Sequence, residues 1–455
     1  RNYNRNAELP KKGMDEDKLI SLLTEWAEHE QSRWNGQHKY ESGQIYHGEP
    51  SLSSLQNKAY SLFSVSNPLH PNTFPFVRKM ESEIIAMTLP LFHGHVDKGQ
   101  CGMVASGGTE SIILAVRAYK NYARVHKHVN YPELVIPETA HAAFDKACDL
   151  MDIKLIKVAV DKESYRADWR EMEKHITSQT IAIVGSTPQF AQGVMDDIEA
   201  LSALALKYDI GLHVDCCLGS FLLPMLAELG YQVKPFDFRL KGVTSISCDT
   251  HKYGFANKGT SVLMFKDAAY RRHAYFCYSE CVIGMYGTAT CLGSRSGGLV
   301  VATWSTMMYF GKQGYLENMK KIMDAVEKVK SGILEMEEIE IMGEPATSVV
   351  ALKAKRKYES KVDIFKVQDA MSERGWAFNQ CQNPNCIHFC FTVANCKEPE
   401  RFVAELKESV KEVVKHPEKF KSTSAAMYGA VLQIPSEGFK NEVLAMYLDA
   451  TYGVH

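Results

Sequence analysis

The sequence lacks the features that mark membrane, secreted and nucleic-acid-binding proteins. No apolar run reaches the roughly 20 residues that a transmembrane helix needs, and no secretory signal peptide opens the chain. The 52 basic and 54 acidic residues nearly cancel, so no charge excess favours nucleic acid as a partner. Internal repeats and low-complexity tracts are also missing. We therefore expect a soluble, cytoplasmic or cytosol-facing domain, and the start at Arg1 rather than Met leaves room for a preceding membrane anchor or targeting segment.

The twelve cysteines include no CxxC pair, although Cys381, Cys386 and Cys390 flank His388. A zinc site is one interpretation of this cluster, but its spacing matches no common zinc motif. Buried thiols are the simpler interpretation, because free cysteine is among the most buried residue types and a reducing compartment keeps thiols unpaired. We therefore predict reduced cysteines and no metal site.

The length and the hydrophobic pattern predict an α/β protein of more than one part. A chain of 455 residues is too long to fold around one simple hydrophobic core. Short apolar runs alternate with amphipathic stretches between residues 102 and 265, which predicts a mostly parallel sheet covered by helices. The predicted strands are Leu134–Pro137, Ile153–Val160, Ile181–Gly185, Ile210–Val214, Val243–Ser247 and Ser261–Phe265. A long helix from Tyr315 to about Glu337 then leads to a smaller α/β region. We predict an N-terminal segment (1–77), a large domain (78–312) and a small C-terminal α/β domain (313–455).

One stretch, SISCDTHKYGFANKG at residues 245–259, is the most informative. It begins on a buried strand and then places Lys252 in a polar loop beside His251 and Thr250. A solvated lysine on a surface loop is one interpretation. The other is a nucleophilic lysine, whose amine must lie in a dry pocket to react at neutral pH.

Three other groups lie where predicted strands end, which is where parallel sheets bind ligands. The turn Gly107–Thr109 opens a helix, and free N–H groups there suit a phosphate, although a simple helix cap has the same sequence. His141 begins another helix as either a ligand or a capping residue. Asp215 ends an apolar strand, and a buried carboxylate needs a cationic partner. Together with Lys252, these groups meet the needs of pyridoxal phosphate for an amine, a pyridinium partner, phosphate donors and a flat group over its ring.

Several motifs carry a family resemblance. They are SNPLHPNTFPFVRKMESEI (66–84), SGGTES (106–111), HAAFDKA (141–147), STPQF (186–190), LHVDCCLGSF (212–221), SISCDTHKYGFANKG (245–259) and GSRSGG (293–298). The chain resembles the fold-type I pyridoxal-phosphate enzymes, in the group-II decarboxylase-like branch, and within that branch the sphingosine-1-phosphate lyase family. It departs from the animal members at Cys248, where alanine is common, at Asn257, where proline is usual, and most strongly over Cys277–Gly287.

The resemblance implies pyridoxal 5'-phosphate as cofactor and a role for each matching residue. Lys252 would attach the cofactor, Asp215 would keep its pyridinium nitrogen protonated, and His141 would stack on its ring. The other implied cofactor contacts are Gly108, Thr109, Thr187, His251 and, from a second subunit, Ser294. The implied substrate contacts are Tyr46, Asn67, His70 and Lys258, with Tyr46 and Lys258 at the substrate phosphate.

The implied reaction is retro-aldol cleavage of the C2–C3 bond of a phosphorylated sphingoid base, which gives phosphoethanolamine and a long-chain aldehyde. Tyr46, Tyr253 and a phosphate oxygen are candidates to remove the 3-hydroxyl proton. Two other functions stay open. An amino-acid decarboxylase of the same branch would need a basic group for a carboxylate, and an inactive scaffold is disfavoured by the intact Lys252, Asp215 and His141.

The resemblance also implies partners. An obligate homodimer with composite active sites is expected, because Tyr46, Asn67 and His70 precede the sheet and Ser294 follows it. We expect the loops that hold them to cross the subunit interface, so that Tyr46 would serve the Lys252 of the neighbouring subunit. The lipid phosphate substrate implies peripheral contact with a membrane.

Overall fold

A seven-stranded sheet forms the centre of the large domain in the computed structural model, which describes residues 8–34, 39–282, 284–420 and 437–452. Its strands are β2 (Cys101–Ala105), β3 (Glu133–Pro137), β4 (Lys154–Val158), β5 (Thr180–Ser186), β6 (Gly211–Asp215), β7 (Ser245–Cys248) and β8 (Ser261–Phe265). The order across the sheet is β2-β8-β7-β6-β5-β3-β4. Only β8 runs against its neighbours, so the predicted mostly parallel α/β fold is confirmed.

Helices cover this sheet, which explains why every residue of β3, β5, β6, β7 and β8 is buried. The α-helices of the described residues are α1 (Glu16–Trp34), α2 (Pro50–Leu62), α3 (Pro75–Thr88), α4 (Gly108–Lys127), α5 (Ala143–Leu150), α6 (Trp169–Lys174), α7 (Ile198–Tyr208), α8 (Leu222–Met225), α9 (Ala268–Arg272), α10 (Gly297–Leu334), α11 (Ile364–Glu373), α12 (Pro399–Lys415) and α13 (Glu437–Tyr452). Short 3-10 helices span Leu89–Phe92, Val96–Lys98, Leu226–Leu229 and Arg356–Tyr358. Within the described ranges, no helix combines the length and apolar character needed to cross a membrane.

The carboxyl ends of the parallel strands meet at one edge of the sheet. β2 ends at Ala105, β3 at Pro137, β5 at Ser186, β6 at Asp215 and β7 at Cys248. Each end is followed directly by a stretch that the sequence singled out. The fold therefore gathers these stretches at the edge where such sheets bind ligands.

α10 is longer than the predicted helix over Tyr315–Glu337. It begins at Gly297 and changes direction at Gly311, whose φ of 53° and ψ of −177° are not helical. Glycine adopts this positive φ without the strain that a side chain would bring. The predicted limit between the large and small domains, at residue 312, lies directly beside this kink, and the domain limits stay a prediction.

The small domain contains an antiparallel sheet in the order β11-β12-β15-β14. Its strands are β11 (Ile339–Ile341), β12 (Val349–Ala354), β14 (Asn379–Cys381) and β15 (Cys386–Cys390). Two strand pairs lie apart from both large sheets: β1 (Tyr40–Glu41) with β13 (Trp376–Ala377), and β9 (Phe276–Tyr278) with β10 (Tyr286–Thr288). Thr392 Oγ1 donates to the carbonyl of Ile45 at 2.7 Å, and Val393 N–H donates to that of Tyr46 at 3.1 Å. The segment that leads to Tyr46 therefore lies against the small domain.

The sequence predicts an N-terminal helix capped by Asp15 and running through Trp34, with Leu19, Leu22, Leu23 and Trp26 on one face. This helix is confirmed as α1, and the carboxylate of Asp15 accepts from the backbone N–H of Lys18. Leu19 and Trp26 on its apolar face are exposed. The C-terminal tail forms helix α13, and the stretch 421–436 before it lies outside the described residues.

Candidate active site

Lys252 lies in the loop after β7 and is paired with a carboxylate. Its Nζ is 3.0 Å from Oδ2 of Asp249, which is buried. Burial lowers the pKa of Lys252, but the charge of Asp249 and the nearby Tyr46 outweigh burial, so the pKa lies above its ordinary value. Paired with Asp249, Lys252 is held as an ammonium, and its proton must leave before the amine can attack an aldehyde. Its role as the lysine that attaches a cofactor stays a prediction.

Asp215 ends β6 as an ionised, buried carboxylate. Its Oδ1 accepts from the backbone N–H of Cys217 at 3.1 Å and from Oγ of Ser247 at 3.3 Å. Burial raises the pKa of Asp215, but the imidazoles of His141 and His213 and the Cys217 N–H together act more strongly in the other direction, so the net pKa is lowered. Thr187, which is also buried, donates its N–H to the Asp215 carbonyl at 2.8 Å. A carboxylate that stays ionised in a dry site is what a protonated pyridine nitrogen requires.

His141 serves its own helix as well as the site. Its Nδ1 accepts from the N–H of Ala143 at 3.0 Å, at the start of α5. The capping interpretation of His141 is therefore confirmed. The ring lies close enough to Asp215 to affect the pKa of that carboxyl, and stacking on a cofactor ring stays a prediction.

The turn before α4 is shaped for close approach by a ligand. A Cβ on Gly108 would lie 2.9 Å from both carboxylate oxygens of Asp249 and 2.9 Å from Sγ of Cys217, so only glycine fits. α4 is a helix of 20 residues, and its first N–H groups, including that of Thr109, lie at the positive end of the helix dipole. This geometry suits an anion, as the sequence predicted.

His251 lies beside this turn with a fixed tautomer. Its Nδ1 donates to the carbonyl of Thr260 at 2.7 Å, and a Cβ on Gly107 would lie 3.9 Å from its Cε1. Burial lowers the pKa of His251 despite the nearby Asp249. Because Nδ1 already carries the proton of the neutral ring, His251 donates to a phosphate through Nε2 only when the ring is protonated.

Tyr46 lies in the site of its own chain. Its ring meets that of Tyr253 edge to face with centroids 4.9 Å apart, and Nζ of Lys258 lies 5.0 Å from its centroid. Lys252 is close enough to affect the pKa of Tyr46, which burial raises. The expectation that Tyr46 serves the neighbouring subunit is therefore wrong, because the segment before it is bound to the small domain next to its own Lys252.

Tyr253 is buried, and its hydroxyl points into the small domain. It donates to the carbonyl of Phe391 at 2.8 Å and contacts the hydroxyl of Ser348. Lys258 extends from the same loop, and both burial and the charge of Lys252 lower its pKa. A lysine in that situation is a cation that an arriving phosphate would stabilise.

Asn67 and Ser294 form a second group, and they are held together within one chain. Asn67 Nδ2 donates to Ser294 Oγ at 3.0 Å, and Asn67 Oδ1 accepts from the N–H of Leu69 at 3.0 Å and of Arg295 at 3.2 Å. His70 and Ser294 are exposed. These residues were predicted separately, and the structure joins the half-buried Asn67 and the exposed Ser294 into one hydrogen-bonded unit.

Two residues that the sequence interpretation missed connect the site. Asp249 contacts both Lys252 and the Gly108 turn, and its Oδ1 is a buried oxygen with no hydrogen-bond partner among the described residues. Cys217 links the same turn to Asp215. A carboxylate three residues before a loop lysine was the available signal for Asp249, whereas nothing in the sequence marked Cys217.

These groups together fit pyridoxal phosphate. Lys252 supplies the amine and Asp215 the ionised carboxylate, while the Gly108 turn leaves a cradle that a side chain would fill. The described residues contain no group of three or more side chains that could hold a metal ion. The Cys381 cluster instead consists of free thiols, two of them fully buried.

Comparison with known proteins agrees with this chemistry. The pyridoxal-dependent decarboxylase conserved domain matches residues 44–355. The chain is 40% identical over 446 residues to the sphingosine-1-phosphate lyase of Drosophila melanogaster, covering 98% of this chain and 80% of that protein. It is 41% identical over 447 residues to sphingosine-1-phosphate lyase 1 of Mus musculus, covering 98% and 77%.

Solved structures place the fold in the same group. The sphingosine-1-phosphate lyase of Burkholderia pseudomallei K96243 aligns with a TM-score of 0.87 at 36% identity, covering 95% of this chain and 97% of that one. A glutamate decarboxylase of Lactobacillus brevis, at 18% identity and a TM-score of 0.76 over 91% and 96% of the chains, shares the fold alone. The predicted family, fold class and cofactor are confirmed. The chain belongs to the sphingosine-1-phosphate lyase family of pyridoxal-dependent enzymes.

Proposed function

We propose that this protein cleaves the C2–C3 bond of phosphorylated sphingoid bases and releases phosphoethanolamine and a long-chain aldehyde. Its membership of the lyase family supports the reaction class. The observation in the site that carries the substrate assignment is the pair of Lys258 and Tyr46, a partly desolvated cation over a buried phenol beside Lys252. This pair suits a substrate phosphate, since a lysine binds phosphate as a point charge.

Some residues of the site supply a charge, and others hold a reacting group in position. Bound pyridoxal phosphate supplies the electron sink for the bond cleavage. Asp215 keeps a negative charge against a protonated ring nitrogen in a dry environment, which favours electron flow toward that ring. Lys252 supplies the attaching amine, and Asp249 holds that amine in place at 3.0 Å.

The contacts of the two tyrosines separate their roles. The Tyr253 hydroxyl already donates within the small domain, so we assign Tyr253 to positioning. Burial raises the pKa of Tyr46 and keeps it a neutral donor at pH 7. We therefore assign Tyr46 to donating a hydrogen bond to a substrate oxygen rather than to removing the 3-hydroxyl proton.

We also propose a homodimer in which each chain contributes to both sites. Tyr46 and Lys258 would act with their own Lys252. The Asn67–Ser294 unit would instead reach the site of the partner, and the two residues would cross together because they share a hydrogen bond.

Product analysis tests the proposed reaction. Purified protein loaded with pyridoxal phosphate is incubated with a phosphorylated sphingoid base, and both products are quantified by mass spectrometry. We expect long-chain aldehyde and phosphoethanolamine in equal amounts, and neither from Lys252→Ala. Carbon dioxide released from amino acids without any aldehyde would instead identify a decarboxylase. A protein that shows the cofactor absorbance but forms no aldehyde would contradict the lyase assignment.

A further inference from the structure

Cys381 and Cys386 lie directly opposite each other on the antiparallel strands β14 and β15. Opposed residues of an antiparallel pair have Cα atoms about 4.5–5.5 Å apart, within the range of about 4.4–6.8 Å that a disulfide spans. Their side chains also project from the same face of the sheet. A bond between the two sulfurs therefore requires little movement of the backbone.

The environment of the pair makes one thiol reactive and the other not. Cys381 is partly exposed, whereas Cys386 is buried. The neighbouring Cys386 and His388 lower the pKa of Cys381, whereas the neighbouring Cys381 and burial raise the pKa of Cys386. Cys381 is also the more exposed of the two, so we assign it the nucleophilic thiolate form, with Cys386 as the thiol beside it.

His388 lies beside Cys381 on the same face of the sheet. Asn379 Nδ2 lies 3.1 Å from Nε2 of His388, so Nε2 accepts and the ring proton is on Nδ1. Nδ1 then donates to the carbonyl of Ala191 at 3.0 Å and lies 3.6 Å from Sγ of Cys381. One face of this sheet therefore holds a thiolate site, formed by Cys381, Cys386 and His388, that the proposed lyase reaction does not use.

We propose that Cys381 and Cys386 are a redox-active thiol pair that hydrogen peroxide oxidises to a cross-strand disulfide. The Cys381 thiolate attacks one peroxide oxygen, the O–O bond breaks, and Cys381 becomes a sulfenic acid while hydroxide leaves. The sulfur of Cys386 then attacks Sγ of Cys381, the S–O bond breaks, and the departing hydroxide takes the Cys386 proton to form water. Two thiols and one peroxide thus give one disulfide and two water molecules.

The pair lies beneath two segments of the candidate active site. Ala191, which contacts both His388 and Sγ of Cys381, is in the loop that follows Thr187. Asn379 also donates to Oγ of Ser42 at 2.8 Å, in the segment that leads to Tyr46. Oxidation would therefore draw a sulfur away from His388, whose ring is hydrogen-bonded to Ala191 and, through Asn379, is linked to the segment that leads to Tyr46.

Differential alkylation of the cofactor-loaded protein tests the proposal. The reduced, desalted protein is treated with increasing hydrogen peroxide and denatured, and its remaining thiols are blocked with iodoacetamide. It is then reduced and labelled with N-ethylmaleimide before peptide mapping. We expect N-ethylmaleimide on both Cys381 and Cys386, and iodoacetamide on Cys390 and Cys396 of the same peptide.

Variants distinguish a pair of thiols that react with each other from two thiols that are oxidised independently. In Cys386→Ser, Cys381 has no resolving partner and should progress to sulfinic acid at the dose that gives the disulfide in the parent. In Cys381→Ser, Cys386 should stay reduced at that dose, and Cys396→Ser should behave as the parent does. Sulfinic acid on Cys381 of the parent with Cys386 still reduced would overturn the proposal, as would a disulfide between Cys381 and another cysteine.

Discussion

Replacing Asp215 by asparagine isolates the charge of the carboxylate from its shape. The asparagine oxygen can keep both acceptor contacts of Oδ1, with Cys217 N–H and Ser247 Oγ. The change therefore removes the negative charge that the lowered pKa of Asp215 maintains and leaves the local packing in place. The expected defect is in the chemical step and not in the fold.

The size of the defect follows from the burial of the group. Loss of one preorganised electrostatic partner in a dry site costs about 2.7–4 kcal/mol in the barrier, or roughly 10²–10³ in kcat. We expect aldehyde release to fall by that factor in steady-state kinetics, while cofactor absorbance and KM change little. Turnover within about threefold of the parent would refute the assigned role, since it would correspond to less than about 1 kcal/mol.

Asp196→Asn is the matched control for this variant. Asp196 is also a buried carboxylate, and it accepts the N–H groups of Ala167 and Ser186 at 2.7 Å each. We expect Asp196→Asn to change thermal stability and to leave kcat close to that of the parent. A similar fall in kcat in both variants would show that any buried charge matters, and that Asp215 has no special role.

Three further predictions follow from the site and the core. Lys258→Ala should raise KM for the phosphorylated substrate by about tenfold or more with little loss of cofactor, because it removes one charge-assisted contact of roughly 1.5–3 kcal/mol; an unchanged KM would make Lys258 an ordinary surface lysine. Co-expressed Lys252→Ala and Tyr46→Phe chains should recover no activity as purified heterodimers, because both side chains belong to the same chain's site; recovery to about half of the parent, with one of the two sites intact, would place Tyr46 in the partner's site. Burial raises the pKa of Asp196 to about 6 from 3.8, so the folded state binds more protons than the unfolded state between those values. This group therefore makes stability fall as pH rises from about 4 to 6, and denaturant titrations of Asp196→Asn should show a weaker fall than the parent.

The sequence predicted the large domain well, because its buried strands are continuous apolar runs bounded by polar residues. The prediction for Ser261–Phe265 matches β8 at both ends, and Ile210–Val214 is displaced from β6 by one residue. The start of α10 was missed because Gly297, Gly298 and the kink at Gly311 interrupt the helical pattern, which became clear only after Gly311.

Local sequence pattern predicted the residues of the candidate site but not the contacts between them. Lys252, Asp215 and the Gly108 turn were found because each follows a strand. The ion pair between Lys252 and Asp249 was not predicted, because it depends on how one loop folds back on itself. The assignment of Tyr46 to a neighbouring subunit failed for a related reason: position along the chain did not reveal that the strand before Tyr46 pairs with the small domain.

Reductive trapping tests the central claim, that Lys252 organises a pyridoxal-phosphate site, most directly. The cofactor-loaded protein is reduced with borohydride, digested, and mapped for the added cofactor mass. The label is expected on Lys252 alone, with Lys258→Ala labelled to the same extent and Lys252→Ala unlabelled. Label on Lys258 or on any other lysine, or equal labelling of Lys252→Ala, would contradict the assignment of the site.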